Sequence, residues 1–132
     1  MKLNSKFKNL DKIYGGWLSV NNFQLCDILS NLKIDFLGVD LEHTPTSIDQ
    51  FLKFFSICHS KKINCLPRIP DLDNVLIKRL LDSGADGIIA PNIENVDQIE
   101  FLENSIFYPP TGFRGYGVSK ASNYGFAFNK YV

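Results

Sequence analysis

Short apolar runs alternate with longer amphipathic runs along most of the chain, and this alternation restricts the fold more than any other feature. The short runs have the length of buried strands. The longer runs repeat their apolar residues at helical spacing, each after a polar residue that can cap a helix. Strands that alternate with helices through short loops form right-handed βαβ units and a parallel sheet. The pattern therefore predicts an α/β fold.

Four βα units can be counted along the chain. The predicted strands cover residues 13–20, 34–40, 63–69 and 87–90. Each predicted helix follows a capping residue, and these are Asn21 or Asn22, Ser47, Asp73 and Asn95. Four units suit either a small open sheet or part of a (β/α)-barrel of the TIM type, which needs roughly 250 residues when complete. By length, a chain of 132 residues is half of such a barrel, and we expect the tail after Gly112 to be a loop.

The composition argues against several classes of partner and site. Lys+Arg and Asp+Glu number 14 each, so no net charge attracts the chain to nucleic acid or to anionic membranes. The three cysteines are an odd number without a CxxC pair, so we expect free, buried thiols rather than disulfides or a zinc knuckle. The first residues lack the apolar segment of a signal peptide, and no apolar run reaches the roughly 18 residues of a membrane span. We expect a cytoplasmic protein.

Polar side chains stand where the second and third predicted strands end. The second strand ends in Asp40-Leu41-Glu42-His43, and the third ends at Arg68. Functional groups of parallel α/β folds collect at these strand ends. His43 can transfer a proton near neutral pH, Asp40 can hold one ring nitrogen, and the guanidinium of Arg68 suits a carboxylate. We therefore predict a site for proton abstraction next to a carboxylate.

Each of these residues also has a purely structural interpretation. Asp40 and His43 can form a local turn contact, and Arg68 can belong to a structural ion pair. Glu42 can support a neighbouring residue or be solvated, and Trp17 at the end of the first strand can be either core or pocket wall. The hypothesis of a site rests on the recurrence of polar residues at strand ends, where buried strands usually carry Val or Ile.

Two other kinds of chemistry find little support. No lysine stands at a strand end, so a Schiff-base mechanism has no nucleophile here. The glycine-rich segment 112–117 superficially suggests a phosphate-binding loop, but the required strand before it and helix after it are missing. We expect a mobile loop, with Arg114 as a lid residue or substrate contact.

Several motifs together resemble one family, the HpcH/HpaI aldolases, which are metal-dependent class II pyruvate aldolases. The motifs are Gly16-Trp17, Asp35-Phe36, Val39-Asp40-Leu41-Glu42-His43, Pro67-Arg68-Ile69-Pro70, the run from Asp82 to Pro91, and Tyr108-Pro109-Pro110-x-Gly112-x-Arg114-Gly115-x-Gly117. Their order and spacing are those of the family. The resemblance implies that residues 1–132 are the N-terminal half of a truncated (β/α)8 barrel with about its first four βα units.

The resemblance also implies an activity. Such enzymes cleave 4-hydroxy-2-oxo acids reversibly into pyruvate and an aldehyde. By resemblance, His43 is the general base and Asp40 orients it; Arg68 binds the pyruvyl carboxylate or keto oxygen, and Trp17 lines the pocket. A divalent metal, Mg²⁺, Mn²⁺ or Co²⁺, polarises the carbonyl. Its two carboxylate ligands lie on later strands, so this chain is expected to supply no metal ligand.

Asp82 matches a family position linked to activity, although it stands near the end of a helix and faces away from its own site. By resemblance it acts across a subunit interface. We therefore expect a homo-oligomer or a complementing C-terminal half, because half a barrel leaves strand edges and apolar side chains uncovered. Two alternatives remain open: a catalytically incomplete remnant that binds carboxylates, and a barrel lyase of the citrate-lyase β type with acyl-CoA substrates.

Overall fold

The computed structural model describes residues 3–131, and its helices and strands alternate through most of the chain. The elements are α1 (Leu3–Lys8), β1 (Gly15–Leu18), α2 (Phe23–Leu29), β2 (Phe36–Asp40), α3 (Ile48–Ser60), β3 (Asn64–Arg68), α4 (Asn74–Asp82), α5 (Val96–Ile106) and α6 (Phe128–Tyr131). This order confirms the predicted α/β class.

Three strands form one parallel sheet in the order β1-β2-β3. The fourth predicted strand, residues 87–90, lies beside β3 but is joined to it by a single parallel bridge between Arg68 and Ile89. The backbone N–H of Ile89 donates to the carbonyl of Pro67 at 2.9 Å, and the N–H of Ile69 donates to the carbonyl of Ile89 at 3.0 Å. Three full strands and one bridge are therefore present, rather than four complete units.

The predicted helix caps are confirmed. The side chains of Asn22 and Asp73 accept hydrogen bonds from backbone N–H groups in the first turns of α2 and α4. Ser47 and Asn95 form reciprocal capping boxes with glutamines three residues later. These local contacts fix where α2 to α5 begin, and so they fix the lengths of the loops that leave the strands.

The two faces of the sheet have different environments. One face lies against the helices and is buried, and its residues are Leu18, Leu37, Val39, Cys65 and Pro67. The opposite face carries Trp17, Phe36, Gly38, Leu66, Asp40 and Arg68, of which Trp17 is 44% exposed. In a complete (β/α) barrel, the strand face opposite the helices is the inner one. The three cysteines are free and buried in the helix-covered core, as predicted.

Two segments differ from the prediction. Helix α1 was not expected, because it is short and polar; its Lys6 pairs with Asp35, and its Leu3 and Phe7 border a cavity of about 390 Å³ beside Phe36. The tail contains α6 and is tied back to α4, since the N–H of Ala121 donates to the carbonyl of Asp82 at 3.1 Å. None of the helices in residues 3–131 has the length and apolar character of a membrane span.

Candidate active site

Asp40 and Arg68 form the centre of the site at the ends of β2 and β3. They are partners in the parallel register of the two strands. Nε of Arg68 donates to Oδ1 of Asp40 at 3.0 Å, and Nη2 donates to Oδ2 at 2.7 Å. The Asp40 side chain is 3% exposed and that of Arg68 is 23% exposed. Two parallel charge-assisted bonds make this a strong, directional pair.

This pair keeps both groups charged. The hydrogen bond from Arg68 lowers the pKa of Asp40, and it outweighs the opposing effect of burial. The same bond raises the pKa of Arg68. Among residues 3–131, no protein atom accepts a hydrogen bond from Nη1 of Arg68. The end of the guanidinium that carries Nη1 therefore remains available for an anionic ligand, even though Asp40 occupies the other edge.

The indole ring of Trp17 stacks against the guanidinium of Arg68. The Arg68 guanidinium carbon lies 5.1 Å from the centre of the indole ring, within the range of a cation–π contact. The ring lies across Gly38, its partner in the register of β1 and β2. A Cβ atom at Gly38 would come within 2.5 Å of the ring. The missing side chain at Gly38 thus makes room for Trp17, whose ring is the platform for Arg68.

His43 lies beside this pair, but Asp40 does not hold its ring. Oδ1 of Asp40 accepts instead from the backbone N–H groups of Glu42 and His43, at 3.0 and 3.2 Å. The imidazole side chain is 69% exposed, and its Nε2 lies 3.7 Å from Oε1 of Glu42. The expected contact between Asp40 and the His43 ring is therefore absent. The physical reason is that Arg68 and the turn after β2 already occupy the Asp40 carboxylate.

Arg114 lies away from the strand ends. It is 5% exposed, and its Nη2 donates to Oδ1 of Asp82 at 2.7 Å and to the hydroxyl of Tyr131 at 3.1 Å. Its guanidinium carbon also lies 4.7 Å from the ring centre of Tyr108. Arg114 is thus a buried anchor that fastens the tail to α4 rather than a mobile lid residue, and its role as a substrate contact stays a prediction. Asp82 is the last residue of α4 and pairs with Arg114, and its expected role at a subunit interface stays a prediction.

The search for metal-ligating side chains covers the part of the chain that the structure describes. No group of three or more His, Cys, Asp and Glu side chains within residues 3–131 is placed to hold a metal ion. The two carboxylates nearest the strand ends are those of Asp40 and Glu42, and Asp40 already accepts from Arg68 and from the backbone. We therefore assign no metal ligand among residues 3–131.

Comparison with known proteins identifies the arrangement. The family model described as HpcH/HpaI aldolase/citrate lyase matches residues 14–127, which include the whole β1–β3 sheet and the residues at its strand ends. The chain belongs to the HpcH/HpaI aldolase/citrate lyase family.

Relatives of this family member are aldolases of about twice its length. It is 32% identical over 128 residues to a hydroxypyruvate/pyruvate aldolase of Roseobacter denitrificans, covering 93% of this chain and 50% of the relative. It is 28% identical to a 4-hydroxy-2-oxovalerate aldolase of Rhodococcus jostii, covering 84% of this chain and 43% of the relative. The chain thus spans about half the length of these relatives.

A solved structure agrees with this assignment. The HpcH/HpaI aldolase from Desulfitobacterium hafniense superposes with a TM-score of 0.84 and 27% identity, covering 96% of this chain and 48% of that one. The similarity confirms a barrel-type α/β fold of the HpcH/HpaI family. The open inner face of the sheet is the face that such a barrel encloses.

Two features of the site were not assigned from the sequence. From the sequence, Glu42 could either support a neighbouring residue or be solvated. In the structure its side chain is only 14% exposed and lies between His43 and Arg68. No role was predicted for Gly38, although a glycine in the middle of a buried strand often marks the close approach of another group. That glycine was the one signal in the sequence that a large side chain lies across β2.

Proposed function

We propose that this chain is residues 1–132 of an aldolase barrel, and that the completed barrel cleaves 4-hydroxy-2-oxo acids reversibly into pyruvate and an aldehyde. The supporting observation is the pairing of Asp40 with Arg68 beside His43 at the strand ends of a member of an aldolase family. Two relatives are named for pyruvate-type and 4-hydroxy-2-oxo acid chemistry. A small 2-oxo acid is therefore the substrate class that we assign.

In this proposal each residue has a separate task. The Nη1 end of Arg68 binds the pyruvyl carboxylate or keto oxygen and stabilises the negative charge of the enolate. His43 is the general base, and its exposed ring can reach a substrate above the strand ends. Asp40 fixes the direction of Arg68, and Trp17 forms one wall of the pocket. His43 takes the proton of the 4-hydroxyl group as the C3–C4 bond breaks and the aldehyde leaves, and the same proton then passes from His43 to C3 of the pyruvate enolate.

The second half of the barrel completes the site in this proposal. The open face of the sheet and the free edges at β1 and at residues 87–90 require a covering partner, either a second copy or a C-terminal half. The divalent metal is then held by strands outside this chain. Asp82 acts at a subunit interface. The isolated chain is expected to be inactive.

Reconstitution tests the proposal. The chain is co-expressed with the C-terminal half of the Roseobacter denitrificans relative, and pyruvate release from 4-hydroxy-2-oxovalerate is measured. We expect activity only when both halves and a divalent metal are present. Replacing the base, His43→Ala, should lower kcat by about 100-fold or more. An assembled, folded barrel that releases no pyruvate from 4-hydroxy-2-oxo acids would contradict the proposal.

A second function is favoured by the free Nη1 end of Arg68, which can bind a carboxylate without a metal. In that case the chain is a catalytically incomplete carboxylate-binding module. Calorimetry of the isolated chain with oxalate, with and without Mg²⁺, distinguishes the two. Metal-independent binding that Arg68→Ala removes supports the module, and binding by this chain that demands Mg²⁺ rules it out.

A further inference from the structure

The carboxylate of Asp40 has little capacity left for an imidazole. Its Oδ1 accepts three hydrogen bonds, from Nε of Arg68 and from the backbone N–H groups of Glu42 and His43. A carboxylate oxygen offers about two lone-pair sites, so this oxygen is already fully used. Its Oδ2 accepts from Nη2 of Arg68 at 2.7 Å. Asp40 therefore makes its hydrogen bonds elsewhere, and a different carboxylate lies in position to orient the ring of His43.

Glu42 is placed to do so. Its Oε1 lies 3.7 Å from Nε2 of His43, and its Oε2 lies 3.1 Å from Nε of Arg68. The Arg68 Nε–H points at Asp40, so the buried Oε2 makes no hydrogen bond of acceptable geometry. The Glu42 carboxylate thus lies close to the ring of His43 and to the guanidinium of Arg68, and it still has accepting capacity. The exposed ring needs only a small rotation to contact it.

We propose that Glu42, rather than Asp40, is the positioning carboxylate for His43. Its carboxylate holds Nε2 of the ring, which leaves Nδ1 to exchange a proton with the substrate. Its attraction to Arg68 keeps base and anion-binding group at a fixed separation. The catalytic consequence rests on the proposed aldolase function, whereas the contact with the ring is a property of this chain alone.

The contact can be tested without any activity. The chain has two histidines, so carbethoxylation by diethyl pyrocarbonate can be followed at His43 with exposed His59 as the internal reference. We expect Glu42→Gln to speed modification of His43 by about two- to five-fold, because a partly exposed ion pair contributes that much. The rate at His59 should not change. The matched control is Glu100→Gln, at an exposed acid on α5.

A second measurement uses the wild-type chain and therefore tests the inference even if Glu42→Gln does not fold. In the wild-type chain, raising the salt concentration to about 1 M screens the pair and should speed modification of His43 by a similar factor, with no effect on Glu42→Gln. Equal rates at His43 in the wild type and in folded Glu42→Gln overturn the inference. So does a wild-type rate at His43 that is independent of salt.

The reconstituted barrel supplies the catalytic test. Glu42→Gln should lower kcat for pyruvate release by about ten-fold or more with little change in KM, and Glu42→Asp, which restores the charge, should recover part of the loss. An inactive wild-type barrel counts against the proposed function and leaves the modification test intact. An active wild-type barrel whose kcat is unchanged by Glu42→Gln overturns only the role of Glu42.

Discussion

Arg68 and Asp40 are register partners on adjacent parallel strands, and the guanidinium holds both oxygens of the carboxylate. The bond occupies one edge of Arg68 and leaves its Nη1 end free. The pair therefore has two roles: it joins the ends of β2 and β3, and it leaves a positively charged group at these strand ends. The first role can be measured in the isolated chain.

Asp40→Asn is expected to destabilise the chain by about 3 kcal/mol, the usual cost of breaking a buried ion pair by removing one charge. Urea unfolding followed by circular dichroism gives the free energy of unfolding. Glu100→Gln, which changes an exposed acid in the same way, should alter it by no more than about 0.5 kcal/mol. Equal stability of the two variants would mean that the Asp40–Arg68 pair contributes nothing to the fold.

The stability difference between the wild type and Asp40→Asn should depend on pH. Arg68 lowers the pKa of Asp40, so the ionised carboxylate stabilises the folded chain above the unfolded-state value of about 3.9. That stabilisation is lost as the pH falls through the lower folded-state value. Urea unfolding between pH 7 and pH 3 should therefore give a constant difference above about pH 5 and a shrinking one below pH 4. A difference that grows on acidification would contradict this assignment.

Gly38→Ala should displace the indole of Trp17. The new Cβ would lie 2.5 Å from the ring, so the ring must leave its place beneath Arg68, at a cost of about 1–3 kcal/mol. Trp17 is the single tryptophan, so its fluorescence spectrum reports the movement directly. Gly117→Ala, where no heavy atom lies within 4 Å of the added Cβ, is the matched control. An unchanged spectrum in Gly38→Ala would show that the ring does not lie across Gly38.

Arg114→Ala should release the tail. Arg114 is buried and ion-paired with Asp82, so its removal is expected to cost about 3 kcal/mol and to expose residues 112–131 to protease. Limited proteolysis with mass spectrometry checks the cleavage sites. Arg79→Ala, at an exposed arginine on the same helix α4, should leave the tail protected. A substrate-binding Arg114 would instead predict an unchanged proteolysis pattern.

The sequence predicted those features that depend on local contacts or on neighbouring strands. The caps at Ser47 and Asn95 are set by residues three positions away, and they were predicted correctly. Asp40 and Arg68 were expected to be close because adjacent parallel strands end at the same edge. The caps and the closeness of Asp40 to Arg68 depend on the local geometry of helices and of adjacent strands, which the sequence pattern predicts directly.

The errors concern long-range competition for polar groups. Arg68 is 28 residues from Asp40 in the sequence, and its two hydrogen bonds to that carboxylate displaced the expected contact with the His43 ring. Asp82 lies 32 residues from Arg114, and the bond between them turned an expected mobile loop into an anchored segment. Neither periodicity nor spacing indicates from which of several donors a carboxylate accepts a hydrogen bond. These contacts are therefore visible only in the folded structure.

The anchored tail also provides a position at which a label can be attached to the protein. The hydroxyl of Tyr131 accepts a hydrogen bond from Arg114, and the N–H of Asp86, just beyond α4, donates to the carbonyl of Cys65 near the start of β3. The end of α6 is therefore fastened near the end of α4, whereas His43 and Arg68 lie where β2 and β3 end. An affinity tag, a fluorophore or a surface tether joined at the end of α6 is expected to leave the ends of β2 and β3 unobstructed. Binding can then be recorded on immobilised protein.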